Sequence, residues 1–226
     1  IQVEGIKPPF TVHAAPPPSS PRFGGAPRIG YERRVSDPSS SLASEKAALR
    51  RMLRRRRRTL AAAAPEAAAA AAAALPADRL PPGPVGGYLG LGAELDPAPL
   101  MARLRRMGRE ILLPSGEATD APLLFRAWVE GEPLAPDAFG VPAPISGPAR
   151  APAVLIVPLL AYDARGGRLG QGGGTYDRTI AALKPQGSPY LLGLAYAGQE
   201  IDQVPMEPHD QPLDAILTEA GFIQFG

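Results

Sequence analysis

No cysteine occurs among the 226 residues, which removes disulfides, thiolate nucleophiles and cysteine-bound zinc from the outset. Histidine is nearly absent as well. His13 and His209 stand in very different contexts, so a multi-histidine metal centre is excluded. Lysine occurs only at positions 7, 46 and 184, leaving arginine to supply almost all of the 24 basic side chains. Their charge is nearly balanced by 22 acids, for a formal net charge of +2, too little for the whole chain to bind nucleic acid as a polycation. No apolar run is long enough to span a bilayer, since the alanines at 67–74 are few and weakly hydrophobic. A secretory apolar segment is missing at the start. The expectation is a soluble, cytoplasmic, monomeric protein with no membrane partner; organellar targeting by the first residues stays open.

What the chain does contain changes along its length. Residues 1–40 carry Pro8-Pro9, Pro16-Pro17-Pro18-Ser19-Ser20-Pro21 and Ser36-Asp37-Pro38-Ser39-Ser40, with no periodic apolar face to bury, so they are expected to be a disordered tail. From Ser44, a candidate N-cap followed by Glu45, a helix is expected through Leu49, Met52, Leu53 and Leu60. The five arginines at 54–58 would wrap most of the way round it. Pro65 interrupts, and an alanine-rich helix follows, strong in propensity but poor in area to bury. Strands are expected at 85–91, 110–113, 123–128, 153–161, 190–196 and 215–218, with helices at 97–107 and 176–184. A proline-rich excursion fills 133–149. Such alternation argues for a single three-layer α/β domain over 41–226, its mostly parallel sheet covered by helices on both faces.

The densest signal is RGGRLGQGGGTYD at 165–177. It follows the apolar run 154–160 and leads into a helical pattern. A strand, a glycine-rich turn and a helix N-terminus together aim several backbone N–H groups at one spot, which suits an anion. Arg168 adds a fork of donors matched to phosphate oxygens, and Asp177 a carboxylate at the exit. Two common glycine motifs do not fit. A phosphate-binding P-loop needs Lys and then Ser or Thr where Gly173 and Gly174 stand, and a GxGxxG begun at Gly170 would need glycine in place of Thr175.

Pro158, Asp163, Gly166, Arg168, Leu169, Gly170, Gly172, Gly174, Tyr176 and Asp177 together resemble the signature of the 5-formyltetrahydrofolate cyclo-ligase family, also called methenyltetrahydrofolate synthetases. The resemblance extends over nearly all of the chain from residue 44. Lys46-Ala47-Ala48-Leu49-Arg50 is similar to the family's K-x-x-L-R, which implies that Lys46 and Arg50, one helical turn apart, reach ATP phosphates. Gly87-Tyr88-Leu89 with Glu94 and Asp96 is similar to a segment that contacts the folate, Glu94 being the acid that orients the pteridine. Phe125, Arg126 and Trp128 resemble L-x-F-R-x-W. Ala143 stands where the family usually has Glu, and Thr175 where many members have Tyr.

The site implied by this resemblance has ATP on Lys46, Arg50, Arg168, Leu169, Gly170, Gln171, Gly172, Gly173, Gly174, Thr175 and Tyr176. It has the folate on Leu89 and Glu94 and on the glycine turn at Gln171, Gly172, Gly173, Gly174 and Thr175. Mg²⁺ would lie near Asp177 and Asp210. The implied reaction is an ATP-driven cyclisation of 5-formyltetrahydrofolate to 5,10-methenyltetrahydrofolate with release of ADP and phosphate, and it needs no protein nucleophile. Two other readings stay open: a relative of the same fold that binds another phosphorylated or folate-like ligand, and a nucleic-acid-binding module built on the arginines at 54–58.

Overall fold

The computed structural model describes residues 42–208 and 210–226; the proposed tail at 1–40 lies outside them. The chain enters through two helices, α1 (Leu42–Ala63) and α2 (Ala67–Ala74), then β1 (Val85–Gly86) and α3 (Ala98–Arg106). β2 (Ile111–Ser115) and β3 (Leu124–Ala127) follow, then two short pairs, β4 (Leu134–Pro136) with β5 (Pro142–Pro144), and, beyond β6 (Val154–Pro158), β7 (Ala161–Tyr162) with β8 (Arg168–Leu169). α4 (Thr175–Leu183), β9 (Tyr190–Leu194), β10 (Ala215–Thr218) and β11 (Gly221–Gln224) complete it.

Seven strands form one sheet in the order β11-β10-β9-β6-β1-β2-β3. The inner five run parallel, and β11 and β3 close the two edges antiparallel. Strand alternation sorts the apolar side chains between two cores. Val154, Ile156, Leu192, Leu194, Ala215, Leu217, Ile111 and Leu113 face α2 and α3. Leu155, Val157, Leu191, Ile216 and Leu112 face Ile180 and Leu183 of α4. Both faces of β6, β9 and β10 are thus sealed, which is why these strands read as continuous apolar runs rather than alternating ones.

The alanine helix α2 gains its contact by closeness. Ala67, Ala71 and Ala72 are buried against the sheet side, and Arg103 of α3 donates to the carbonyls of Ala72 and Ala73 at the helix end, where the macrodipole favours a cation. Gly87 lets α3 approach: a Cβ there would fall 2.2 Å from Met101 Sδ.

Several expectations need correction. The strand expected at 85–91 pairs only at Val85–Gly86, because Tyr88 turns inward and its hydroxyl donates to Leu95 O at 2.7 Å. β2 continues through Pro114, which pairs with Phe125 of β3 but lies past the last β1–β2 pair, Gly86 with Leu112, so no β1 carbonyl needs its missing N–H. The excursion at 133–149 contains the β4–β5 pair, and the single glycine turn expected after β6 is two turns with the β7–β8 pair ahead of the second. β11, not expected at all, pairs with β10 across a two-residue turn at Glu219 and Ala220. Ser44 lies inside α1, not at its cap.

Candidate functional site

The site lies beyond the carboxyl ends of the parallel strands, where open α/β sheets collect their ligand groups. α1 crosses there, over Leu160, Ala161 and Leu169, anchored by Leu49 and Leu53. At 100° per residue, Lys46, Arg50, Arg54 and Arg57 fall within about 80° of arc, next to the leucine stripe. Arg51, Arg55 and Arg58 fall on the far side and are exposed. The arginine run therefore does not spread as one solvated belt. Its inner members face the glycine turn and the loop at 90–94, and that is a correction to the sequence expectation.

Arg50 Nε donates to Gly170 O at 3.0 Å. Arg54 holds Gln171 twice, from Nε to Oε1 and from Nη2 to the main-chain O, both at 3.0 Å. Arg178 of α4 takes Gly173 O at 2.8 Å. Three carbonyls of one short turn are thus each held by an arginine. The N–H groups of Gln171, Gly172 and Gly173 donate no hydrogen bond among the described residues, so they form the open polar face of the turn. Gly172 has φ +109°, and a Cβ there would lie 3.3 Å from the Arg50 guanidinium carbon. Gly174, at φ 65°, is the N-cap of α4, and no side chain caps that helix. Open N–H groups beside an uncapped helix N-terminus make an anion cradle.

The charged groups around this cradle neutralise one another. Lys46, 4 % exposed, places Nζ 2.6 Å from both Glu207 Oε2 and Asp210 Oδ2. Burial opposes its charge, but hydrogen bonds and charge from Asp210 and Glu207 outweigh burial and raise the ammonium above its ordinary 10.5. Arg168 Nη2 lies 2.5 Å from Asp177 Oδ1, which also accepts Gln211 N at 3.2 Å. Asp177 and Asp210 are thereby tied to adjacent points of one loop. Asp163, 1 % exposed, accepts from Arg165 N, Gly167 N and Val204 N and so joins the first glycine turn to that loop.

On the other flank, Glu94 Oε1 lies 3.3 Å from Arg57 Nη1 and 3.5 Å from Gln171 Nε2, while Oε2 accepts Leu91 N at 3.1 Å. Leu89 is partly buried against the core beneath. Tyr176 is partly buried, and its phenol is pushed well up by burial and by the Glu94 charge, against the opposing pull of Arg168. Thr175 opens α4, its carbonyl accepting from Thr179 Oγ1 at 2.7 Å. Leu169 is a core residue under α1, so only its main chain can reach a ligand.

Lys46, Arg50, Glu94, Arg168, the glycine turn, Asp177 and Asp210 are therefore gathered at one end of the sheet. Arg54, Arg57 and Glu207 join them unforeseen. The first two were legible in principle, as positions i+8 and i+11 of the stripe begun by Lys46 and Arg50. Glu207 carries no such signal.

The family model for the 5-formyltetrahydrofolate cyclo-ligase family matches residues 42–219. The chain belongs to that family. A 5-formyltetrahydrofolate cyclo-ligase of Escherichia coli K12 is 34 % identical over 140 residues, covering 59 % of this chain and 76 % of that protein. One of Haemophilus influenzae is 32 % identical over 137 residues, covering 58 % of this chain and 73 % of its own. In fold the chain is similar to the solved 5,10-methenyltetrahydrofolate synthetase of Aquifex aeolicus, with a TM-score of 0.63 at 24 % identity over 79 % of this chain and 92 % of that one. The region matched by the family model includes every residue of the cradle and its flanking ion pairs.

Proposed function

We propose that the chain catalyses the ATP-dependent cyclisation of 5-formyltetrahydrofolate to 5,10-methenyltetrahydrofolate, with ADP and phosphate as co-products, in one-carbon folate metabolism. The observation that carries this reading is the glycine turn. Its carbonyls are fastened by three arginines, its N–H groups are open, Arg50 and Arg168 lie beside it, and Lys46 stands one helical turn from Arg50. That is a cradle for a polyphosphate, in a chain of this family.

The formyl oxygen of the substrate is a poor leaving group, and N10 does not displace it unaided. Transfer of the γ-phosphoryl group to that oxygen makes it a phosphate ester. N10 then attacks the formyl carbon and loses its proton to water, the C–O bond breaks, and inorganic phosphate departs. Both nucleophiles belong to the substrate, so the protein's task is position and charge. Lys46 and Arg50 are the donors to the transferring phosphoryl group, the turn's N–H groups hold its neighbours, and Arg168 adds charge at the base of the turn. Glu94 is the acid that orients the pteridine.

Among the described residues no group of three or more acidic or histidine side chains has metal-holding geometry. Mg²⁺, however, is characteristically held by one or two carboxylates together with substrate phosphates and waters. Asp177 and Asp210, fixed beside each other through Gln211, fit that requirement and would hold it; the ion would neutralise charge on the phosphates. Lys46 and Arg168 now occupy these carboxylates, so phosphate binding would exchange one set of partners for the other. The test is a reaction mixture of protein, Mg-ATP and 5-formyltetrahydrofolate, followed by methenyl absorbance and ADP release together.

A further inference from the structure

Arg57 is 6 % exposed, although it sits in the middle of an arginine run on a surface helix. Its guanidinium reaches Glu94 Oε1 and Leu159 O, each at 3.3 Å, while its Nε is buried without a hydrogen-bond partner. Glu94 is almost as enclosed, with its side chain 8 % exposed. Its carboxylate meets three separate pieces of chain: Leu91 N of its own loop, Arg57 of α1 and Gln171 of the glycine turn. Gln171 in turn is held at both ends by Arg54. A charge buried to this degree persists only with an opposite charge beside it. The other cations nearby are committed elsewhere: Arg54 to Gln171, Arg50 to Gly170, Arg168 to Asp177.

The geometry points to Arg57 as the positioning residue for Glu94. It fixes the carboxylate between the folate-side loop at 90–94 and the glycine turn, and thereby sets the affinity for the folate rather than for the nucleotide. This rests on the function proposed above, in which Glu94 orients the pteridine. The nucleotide side has its own donors in Lys46, Arg50 and the turn, none of which bonds to Arg57. Loss of Arg57 therefore acts on the folate side through Glu94, and its other contact, to Leu159 O, is lost equally in either Glu94 background.

The experiment is a double-mutant cycle of Arg57→Met and Glu94→Gln, with Arg57→Lys as the conservative variant, in the full chain. KM for 5-formyltetrahydrofolate, KM for ATP and turnover are measured for each. Arg57→Met is expected to raise the folate KM about tenfold or more, the scale of one charge-assisted contact, and to leave the ATP KM within about twofold. Arg57→Lys should recover part of the loss. In the Glu94→Gln background Arg57→Met should add little, because no carboxylate remains to be held. Arg57→Met alone leaves Glu94 buried without its partner; if it does not fold, the same comparison is made between Glu94→Gln and the neutral double variant, which must then match. Equal rises in both KM values overturn the proposal, as does a full additive effect in the Glu94→Gln background or an Arg57→Met protein with the parent's folate KM. A parent protein that forms no methenyl product overturns the functional reading, and this proposal with it.

Discussion

Lys46 is held by two carboxylates 2.6 Å away on a loop more than 160 positions distant in sequence, and the two charges that would serve phosphate and metal thus wait on each other. Replacing Lys46 or Arg50 by Ala removes one preorganised donor and should lower turnover roughly 10²–10³-fold, with Arg168→Ala at least as damaging. Steady-state kinetics at saturating Mg-ATP reads this directly. Replacing both Arg55 and Arg58, exposed on the far side of α1, should leave turnover nearly unchanged, since solvated charges act weakly and are screened. Arg57 must be kept apart from that pair. The one-turn spacing of Lys46 and Arg50 is equally that of a solvated helix face; the resemblance to the family's K-x-x-L-R singled the pair out, and it did not separate inner from outer arginines. Only the position of the Leu49/Leu53 stripe against the β7–β8 pair decides which arginines turn inward. The pH dependence follows from the same residue. The folded-state value of Lys46 is raised, so its contribution is fully present below its ordinary 10.5 and is lost as pH climbs through the higher folded value. Tyr88 and Tyr176, pushed up by burial from 10.0, act in the same direction. The melting temperature should therefore show no loss from these groups near neutrality and should decline above about pH 10; a decline from them already near pH 8 would contradict the assignment.

At the scale of elements, β6, β9 and β10 announced themselves as apolar runs because both faces are sealed, and α4 through its helical spacing after the glycines. Five short strands stayed hidden for physical reasons. β7 and β8 are two residues each, too short for any period, and are held by the Asp163 turn rather than by side-chain pattern. β11 carries Gly221 and only partly buried side chains, so it lacks the contrast that marks a strand. β4–β5 is paired through prolines at Pro136, Pro142 and Pro144, residues that argue against strands in general. Two substitutions test how these elements are held. Asp163→Ala deprives three backbone N–H groups of a buried charged acceptor and should cost on the order of 3 kcal/mol, read as a lower midpoint in denaturant. Because Val204 N is among those donors, the loop bearing Glu207 and Asp210 should loosen with it and turnover should fall more than stability alone explains. Ala71, fully buried in α2, has no room for growth. Ala71→Leu should destabilise by about 1–3 kcal/mol through overpacking while folded protein keeps its turnover, since α2 lies on the sheet face and away from the cradle.

For the whole molecule, an open sheet brings residues from the first helix, the 90–94 loop, the glycine turn and the 204–211 loop to one end. The scarcity of histidine and the absence of cysteine are no obstacle to the proposed chemistry, in which both nucleophiles would come from the substrate and the protein would supply charge and placement. The fold class was readable from the alternation of strands and helices, and an anion-binding turn from the long glycine motif; the expected roles of Lys46, Arg50, Glu94 and Asp210 came from the family resemblance. The partnership of cations and carboxylates was not readable, since it joins residues that only folding makes neighbours. No helix among the described residues is long and apolar enough to cross a membrane. The most direct test of the account is a coupled measurement on the purified chain with Mg-ATP and 5-formyltetrahydrofolate, recording methenyl absorbance and ADP in one sample. The account predicts one ADP for each methenyltetrahydrofolate formed and no ADP when the folate is left out. Absence of the methenyl product, or ATP consumption that is the same with and without the folate, would contradict it.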